Sequence, residues 1–139
     1  MSTITVWFIR FAIIYFLLSV LLGLHMSAAG PVYPWMPIHA HFNLLGWMSM
    51  MIYGVAYHIL PRFSGRPLYS DRLAYAQLWL ANIGLVGMAA GWIVQSDIGG
   101  NTVLIAFSLV EAVSIAFFAL NMLMTIKPAP APPAAAVKK

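Results

Sequence analysis

Two closely spaced histidines are the residues of this sequence best suited to binding a transition metal. His39 and His41 occur in an apolar stretch that runs from Pro37 to Pro61. On an α-helix, side chains two positions apart lie at nearly the same depth but diverge by about 200° around the axis. One metal ion is not easily held by both, so the spacing predicts two sites, one on each side of the helix.

The chemistry expected of this pair is iron ligation. Neutral imidazole is a common iron ligand, and a haem with an axial histidine on each face is a low-spin electron carrier. The chain has no cysteine, which excludes thiolate metal sites and covalent c-type haem attachment. Non-covalent haem ligation by His39 and His41 is therefore one interpretation of the pair. The alternative is that both are interfacial histidines hydrogen-bonded to loop carbonyls.

The other two histidines have different expected roles. His25 ends the preceding apolar stretch at the depth of His39 and His41. It is a candidate cofactor-binding residue, either as a ligand itself or as a hydrogen-bond donor to a ligand histidine or a haem propionate. His58 lies roughly 25 Å along the helix from His41, because each residue adds about 1.5 Å. It cannot join the same site and is predicted to be interfacial.

Glu111 is an acidic residue placed near the middle of an apolar stretch. Ionisable groups at membrane depth are functional candidates by default. One interpretation is a hydrogen bond between helices, with Asn82 or Gln77 as the partner. The other is a role as a proton relay or a group that faces the cofactor.

Composition determines the elements that position these residues. The chain is 63% hydrophobic and only 7% charged, against about 25% charged residues in soluble domains. Its apolar residues fall into four runs long enough to cross a bilayer. We predict an all-α integral membrane four-helix bundle, one domain of residues 1–126, with spans at about 5–25, 38–60, 73–94 and 102–126. A Pro/Ala-rich tail follows at 127–139.

The basic residues predict the orientation. With four spans, both termini and the middle loop share one side of the membrane. All seven Lys and Arg residues fall there if Arg10 snorkels towards that side. Because cytoplasmic loops carry the excess of Lys and Arg, both termini and the tail are predicted to be cytoplasmic, in a bacterial-type inner membrane. The histidines His25, His39 and His41 then lie at the outer face.

The second span also carries a family resemblance. His39-Ala-His41-Phe-Asn-Leu-Leu-Gly-Trp, followed by an apolar run that ends in Tyr-His-Ile-Leu-Pro, resembles the catalytic subunit of haem–copper oxidases. The similarity is greatest to the nitric oxide reductase and C-type oxidase branches, and it covers about a quarter of the chain.

The resemblance implies a specific architecture. Members of that family have twelve transmembrane helices in three arcs of four, and an H-x-H pair in their tenth helix points to a different haem on each side. By this likeness His39 and His41 correspond to that pair, and the chain corresponds to one arc. It has no second histidine cluster for the copper ion and no family-type arginine pair for propionates, so the resemblance implies haem binding more strongly than catalysis.

Three functions follow as expectations. The first is a membrane electron-transfer protein with bis-histidine haem b, in which a homotrimer rebuilds the twelve-helix ring and places haem at the interfaces between protomers. The second is a copper- or other metal-binding membrane protein that uses His25, His39 and His41 with Met26 and Met36. The third is a non-catalytic subunit that packs on an oxidase. The redox partner is not predicted.

Overall fold

The computed structural model describes residues 1–30, 33–126 and 128. In this part of the chain four helices are long and apolar enough to cross a membrane: Thr3–Ala29, Trp35–Phe63, Asp71–Ile98 and Thr102–Thr125. The prediction of an all-α membrane four-helix bundle is confirmed. The first three helices extend beyond the predicted spans at both ends, because hydropathy identifies the lipid-facing segment rather than the helix ends. Apart from residue 128, the tail lies outside the described residues.

The second helix is not uniformly α-helical. Trp35–His41 is α-helical, Phe42–Ser49 is π-helical, and α-helix resumes over Met50–Phe63. The Ser49 hydroxyl donates to the Leu44 carbonyl at 2.8 Å within the wider turns. π-Helical segments are rare and frequently occur at functional sites. This one begins directly after His41.

The second helix continues three residues past the predicted end of its span at about residue 60. Pro61 lies inside the helix, which continues to Phe63. Proline removes only its own backbone donor, and the next turn still closes through the Ser64 amide, which donates to the Leu60 carbonyl at 2.9 Å. The chain then turns at Gly65, whose φ of 60° suits glycine.

Small residues allow the helices to pack in two antiparallel pairs. In the first pair, Gly46 faces the Tyr15 ring, and a Cβ built on it would lie 2.6 Å from Cγ of that tyrosine. In the second pair, a Cβ on Gly91 would lie 2.7 Å from the Cα of Leu104. Gly87 faces Phe107 on the same side. The predicted close approach at Gly87 and Gly91 therefore occurs between the third and fourth helices.

Polar side chains join the pairs inside the bundle. The Tyr15 hydroxyl donates to Oδ1 of Asn82 at 3.0 Å, and the Tyr57 hydroxyl donates to Oε1 of Gln77. Ser70 ends the loop between the second and third helices, and its backbone amide donates to Oδ1 of Asn121 at 3.0 Å. Lipid offers no hydrogen-bond partner, so the two tyrosine–amide bonds satisfy buried polar groups and link the two pairs. The Asn121 bond instead holds the start of the third helix to the fourth.

Candidate functional site

His39 lies between the second and first helices, with partners at both ring nitrogens. Nδ1 is 2.9 Å from the Ser19 carbonyl oxygen. A carbonyl oxygen only accepts, so Nδ1 carries the proton and Nε2 of the neutral ring holds the lone pair. The Asn43 amide donates to Nε2 at 3.2 Å. Gly23 makes room for the ring, since a Cβ there would lie 3.1 Å from His39 Cε1.

His41 lies on the other side of the helix, against the third helix. Its Nδ1 is 2.9 Å from the Pro37 carbonyl oxygen, so this ring also has its proton on Nδ1. The imidazole packs on the Trp92 indole, with ring centroids 4.5 Å apart and planes inclined by 50°. Among the described residues, hydrogen bonds to the ring are confined to Nδ1. The lone pair of Nε2 is therefore available to a ligand.

The two rings diverge as the spacing in sequence predicted. His39 contacts the first helix through Ser19, and His41 contacts the third helix through Trp92. The short α-helical segment Trp35–His41 carries both, so the divergence of about 200° follows from helix geometry. The arrangement offers one imidazole to each flank of the second helix.

His25 is close in depth but is not brought together with His39. Its exposed ring packs edge-on against Trp35, with centroids 6.0 Å apart and an interplanar angle of 80°. His39 contacts the face of the first helix that bears Ser19 and Gly23, and His25 lies about 200° around the axis from Gly23. The structure thus places His25 beside the site rather than in it.

His58 lies at the opposite end of the bundle. Arg62 donates to its Nε2 at 2.7 Å. Both residues line a cavity of about 200 Å³ together with residues of the second helix, the chain before the first helix and the segment at the start of the third: Tyr57, Pro61, Ser2, Leu68 and Asp71. This agrees with the expectation that His58 is separate from His39 and His41.

Glu111 is buried, with an exposed fraction of 4%. It faces Gly84, where a Cβ would lie 2.7 Å from its Oε2. Oε2 has no hydrogen-bond partner among the described residues. The interpretation in which Glu111 bonds to Asn82 or Gln77 is wrong: among the described residues the Asn82 amide nitrogen donates to the Leu78 carbonyl, and Gln77 Nε2 has no partner.

Three residues around the histidines were not singled out from the sequence: Ser19, Asn43 and Trp92. Asn43 follows His39 by four residues, a spacing that places two side chains next to each other on a helix, so it could have been found. Ser19 and Trp92 lie on other helices. Their contacts with the histidines depend on packing that the sequence pattern does not specify.

The donors do not form a multi-residue metal site within one chain. Among the described residues, no three His, Asp or Glu side chains come together to hold a metal ion. His25, His39 and His41, which the metal-binding alternative combines with Met26 and Met36, therefore do not form a three-residue cluster.

An apolar cavity of about 350 Å³ lies among the first three helices, at the end of the bundle that carries the histidines. From the second helix, Ile38 and Phe42 contribute to its wall. Leu18, Leu21, Leu22, Trp35, Ala89 and Ile93 complete the lining. Neither histidine lines this cavity, but Ile38 and Phe42, each next in sequence to one of them, do.

Sequence comparison supports the resemblance found in the second span. Residues 32–100, which contain the second and third helices, match the family model of cytochrome c and quinol oxidase polypeptide I. This segment is related to subunit I of the haem–copper oxidases. It includes both His39 and His41.

Individual relatives match over a similar length. The chain is 41% identical over 61 residues to cytochrome c oxidase subunit 1 of Rhodobacter capsulatus, covering 42% of this chain and 12% of that protein. It is 38% identical over 61 residues to the cbb3-type cytochrome c oxidase subunit CcoN1 of Stutzerimonas stutzeri, covering 42% and 13%. The chain thus spans about one eighth of the length of these oxidase subunits. No solved structure matches it significantly.

The residues present fit haem ligation. Metal-ligating histidines generally donate their second ring N–H to a carboxylate, a backbone carbonyl or water, which fixes the tautomer. The Ser19 carbonyl has this role for His39, and the Pro37 carbonyl has it for His41. In both rings Nε2 holds the lone pair; in His41 it has no hydrogen bond among the described residues, and in His39 it accepts from the Asn43 amide.

Proposed function

We propose that this chain is a multi-pass membrane protein that binds b-type haem through His39 and His41 and transfers electrons. The observation behind the proposal is that both imidazoles donate Nδ1–H to a backbone carbonyl, on opposite sides of one helix. The relation to haem–copper oxidase subunit I supports haem as the group bound. When bound, haem supplies a one-electron Fe(III)/Fe(II) couple.

The protein's own residues prepare each ligand. The carbonyls of Ser19 and Pro37 orient the rings before iron binds, so little freedom is lost on ligation. The apolar cavity that Ile38 and Phe42 help to line lies next to the two ligands, and apolar surroundings favour the bound over the free haem. The absence of cysteine makes the attachment non-covalent.

The two diverging imidazole rings also imply where each haem obtains its second axial ligand. They cannot face each other across a single porphyrin, so each haem takes its second axial ligand from elsewhere. In this proposal three chains form a ring, and the His39 side of one protomer meets the His41 side of the next. Repeated head-to-tail contacts of this kind close into cyclic oligomers.

Absorption spectroscopy of the purified protein tests the haem proposal. The reduced protein is expected to show the sharp α-band of low-spin haem. His39→Ala and His41→Ala are each expected to remove most of that band, because each deletes an axial ligand. His58→Ala is the matched control and should leave the spectrum unchanged, since it lies at the other end of the bundle.

Other outcomes identify the alternatives. If His39→Ala keeps a wild-type spectrum while His25→Ala loses it, the ligand on that side is His25. Bound metal without a Soret band would indicate the copper-binding function. A protein with neither metal nor Soret band would be a structural subunit, and the haem proposal would be wrong.

The orientation predicted from the basic residues can be tested by cysteine labelling. Pro67 and Asn101 are both exposed and lie in loops at opposite ends of the bundle. In intact cells an impermeant thiol reagent is expected to label Asn101→Cys and to spare Pro67→Cys until the membrane is opened. Labelling of Pro67→Cys in intact cells would show the reverse orientation.

A further inference from the structure

The two histidines of the site differ in one respect: a neighbouring side chain covers the ligating atom of only one of them. Asn43 Nδ2 lies 3.2 Å from His39 Nε2, whereas hydrogen bonds to His41 from the described residues are confined to Nδ1. A lone pair that accepts a hydrogen bond does not bind iron at the same time. The Asn43 amide must leave Nε2 before His39 can act as a ligand.

We propose that Asn43 is a displaceable cap on His39, which makes His39 the weaker and conditional ligand of the pair. The inference rests on the proposed haem-binding function. In it Asn43 is a positioning residue that acts through His39. His41 is the ligand that is always available.

The direction of the hydrogen bond is set by the rest of the site. His39 Nδ1 faces the Ser19 carbonyl at 2.9 Å and must carry the proton. Nε2 therefore accepts, and the Asn43 amide is the donor. An aspartate at position 43 would reverse this polarity, since a carboxylate only accepts and would keep a proton on Nε2.

Asn43 also has an alternative partner. Its amide nitrogen lies 3.3 Å from the backbone carbonyl of His39, so it keeps an acceptor when it leaves the ring. Asn43 is the second residue of the π-helical segment Phe42–Ser49. The Asn43 amide can leave Nε2 of His39 and keep its bond to the His39 carbonyl. Its N–H group is then not left without an acceptor, which would be costly inside the bundle.

Haem titration of three variants tests the cap. Asn43→Ala and Asn43→Leu remove the donor and are expected to lower the Kd for haem about five-fold, the value of one net hydrogen bond. Asn43→Asp is expected to raise the Kd about five-fold above the wild type, because bonds to a charged acceptor are roughly twice as strong. Ser49→Ala is the control, since its hydroxyl bonds to Leu44 in the same π-helical segment, and its Kd should equal that of the wild type.

A second measurement needs no haem. In the haem-free protein, ¹⁵N NMR of the imidazoles should report the proton on Nδ1 of His39 in the wild type and in Asn43→Ala. In Asn43→Asp, a proton should appear on Nε2. A general loss of stability would lower affinity in all three variants, so tighter binding by Asn43→Ala and weaker binding by Asn43→Asp together support the cap.

The outcomes separate the two proposals. A wild-type protein that takes up no haem overturns the proposed function. A wild-type protein that binds haem, with the same Kd in Asn43→Ala, Asn43→Leu and Asn43→Asp, overturns only the role of Asn43. A wild-type His39 that carries its proton on Nε2 would also overturn it.

Discussion

Gly91→Leu is expected to lower the free energy of unfolding in detergent by about 3 kcal/mol or more, the upper end of the cost of overpacking a tight contact. A Cβ at this position would lie 2.7 Å from the Cα of Leu104 and 2.8 Å from its backbone nitrogen. Backbone atoms cannot turn aside as a side chain does. The third and fourth helices would have to separate, which also loses their packing contacts.

Ala90→Leu is the matched control for this prediction. Ala90 is the adjacent residue on the same helix and is exposed to the lipid side. The added volume there meets no backbone, so the free energy of unfolding should change by about 0.5 kcal/mol or less. Equal destabilisation by the two substitutions would contradict the close approach of the helices at Gly91.

The helices were predictable because hydropathy alone determines them. The four apolar runs contain too few polar residues to form a water-exposed surface, so they are expected to be four spanning helices. The structure has four such helices among the described residues. The π-helical segment was not predictable. Within it Gly46 faces the Tyr15 ring on another helix, and nothing in the local sequence Phe42–Ser49 specifies that contact.

The site was predictable to the extent that it depends on one helix. The opposite directions of His39 and His41 follow from the helical repeat, and so does the separation of His58. The hydrogen bond from His39 to Ser19 and the contact of His41 with Trp92 depend on how three helices pack. One interpretation of Glu111, a bond to Asn82 or Gln77, failed for the same reason: helix packing places Glu111 against Gly84.

Co-expressed His39→Ala and His41→Ala chains are expected to recover haem that neither variant binds alone. If each haem is shared between the His39 side of one protomer and the His41 side of the next, every junction in either homotrimer lacks one ligand. A mixed ring contains two chains of one kind and one of the other. Only one of its three junctions then joins an intact His39 to an intact His41, so about one third of the wild-type haem should return.

The two variants would carry different affinity tags, and tandem purification would isolate the mixed oligomers. Haem per chain is then measured from the reduced spectrum and compared with the wild type and with each variant alone. Mixed trimers of the wild type and the double variant His39→Ala/His41→Ala provide a calibration. A ring with two wild-type chains keeps one intact junction, and a ring with one wild-type chain keeps no intact junction. Mixed oligomers without haem, or a monomer with full haem, would show that the haem is not shared between chains. Each chain would then have to supply a second ligand from its own helices, and His25 would be the first residue to test.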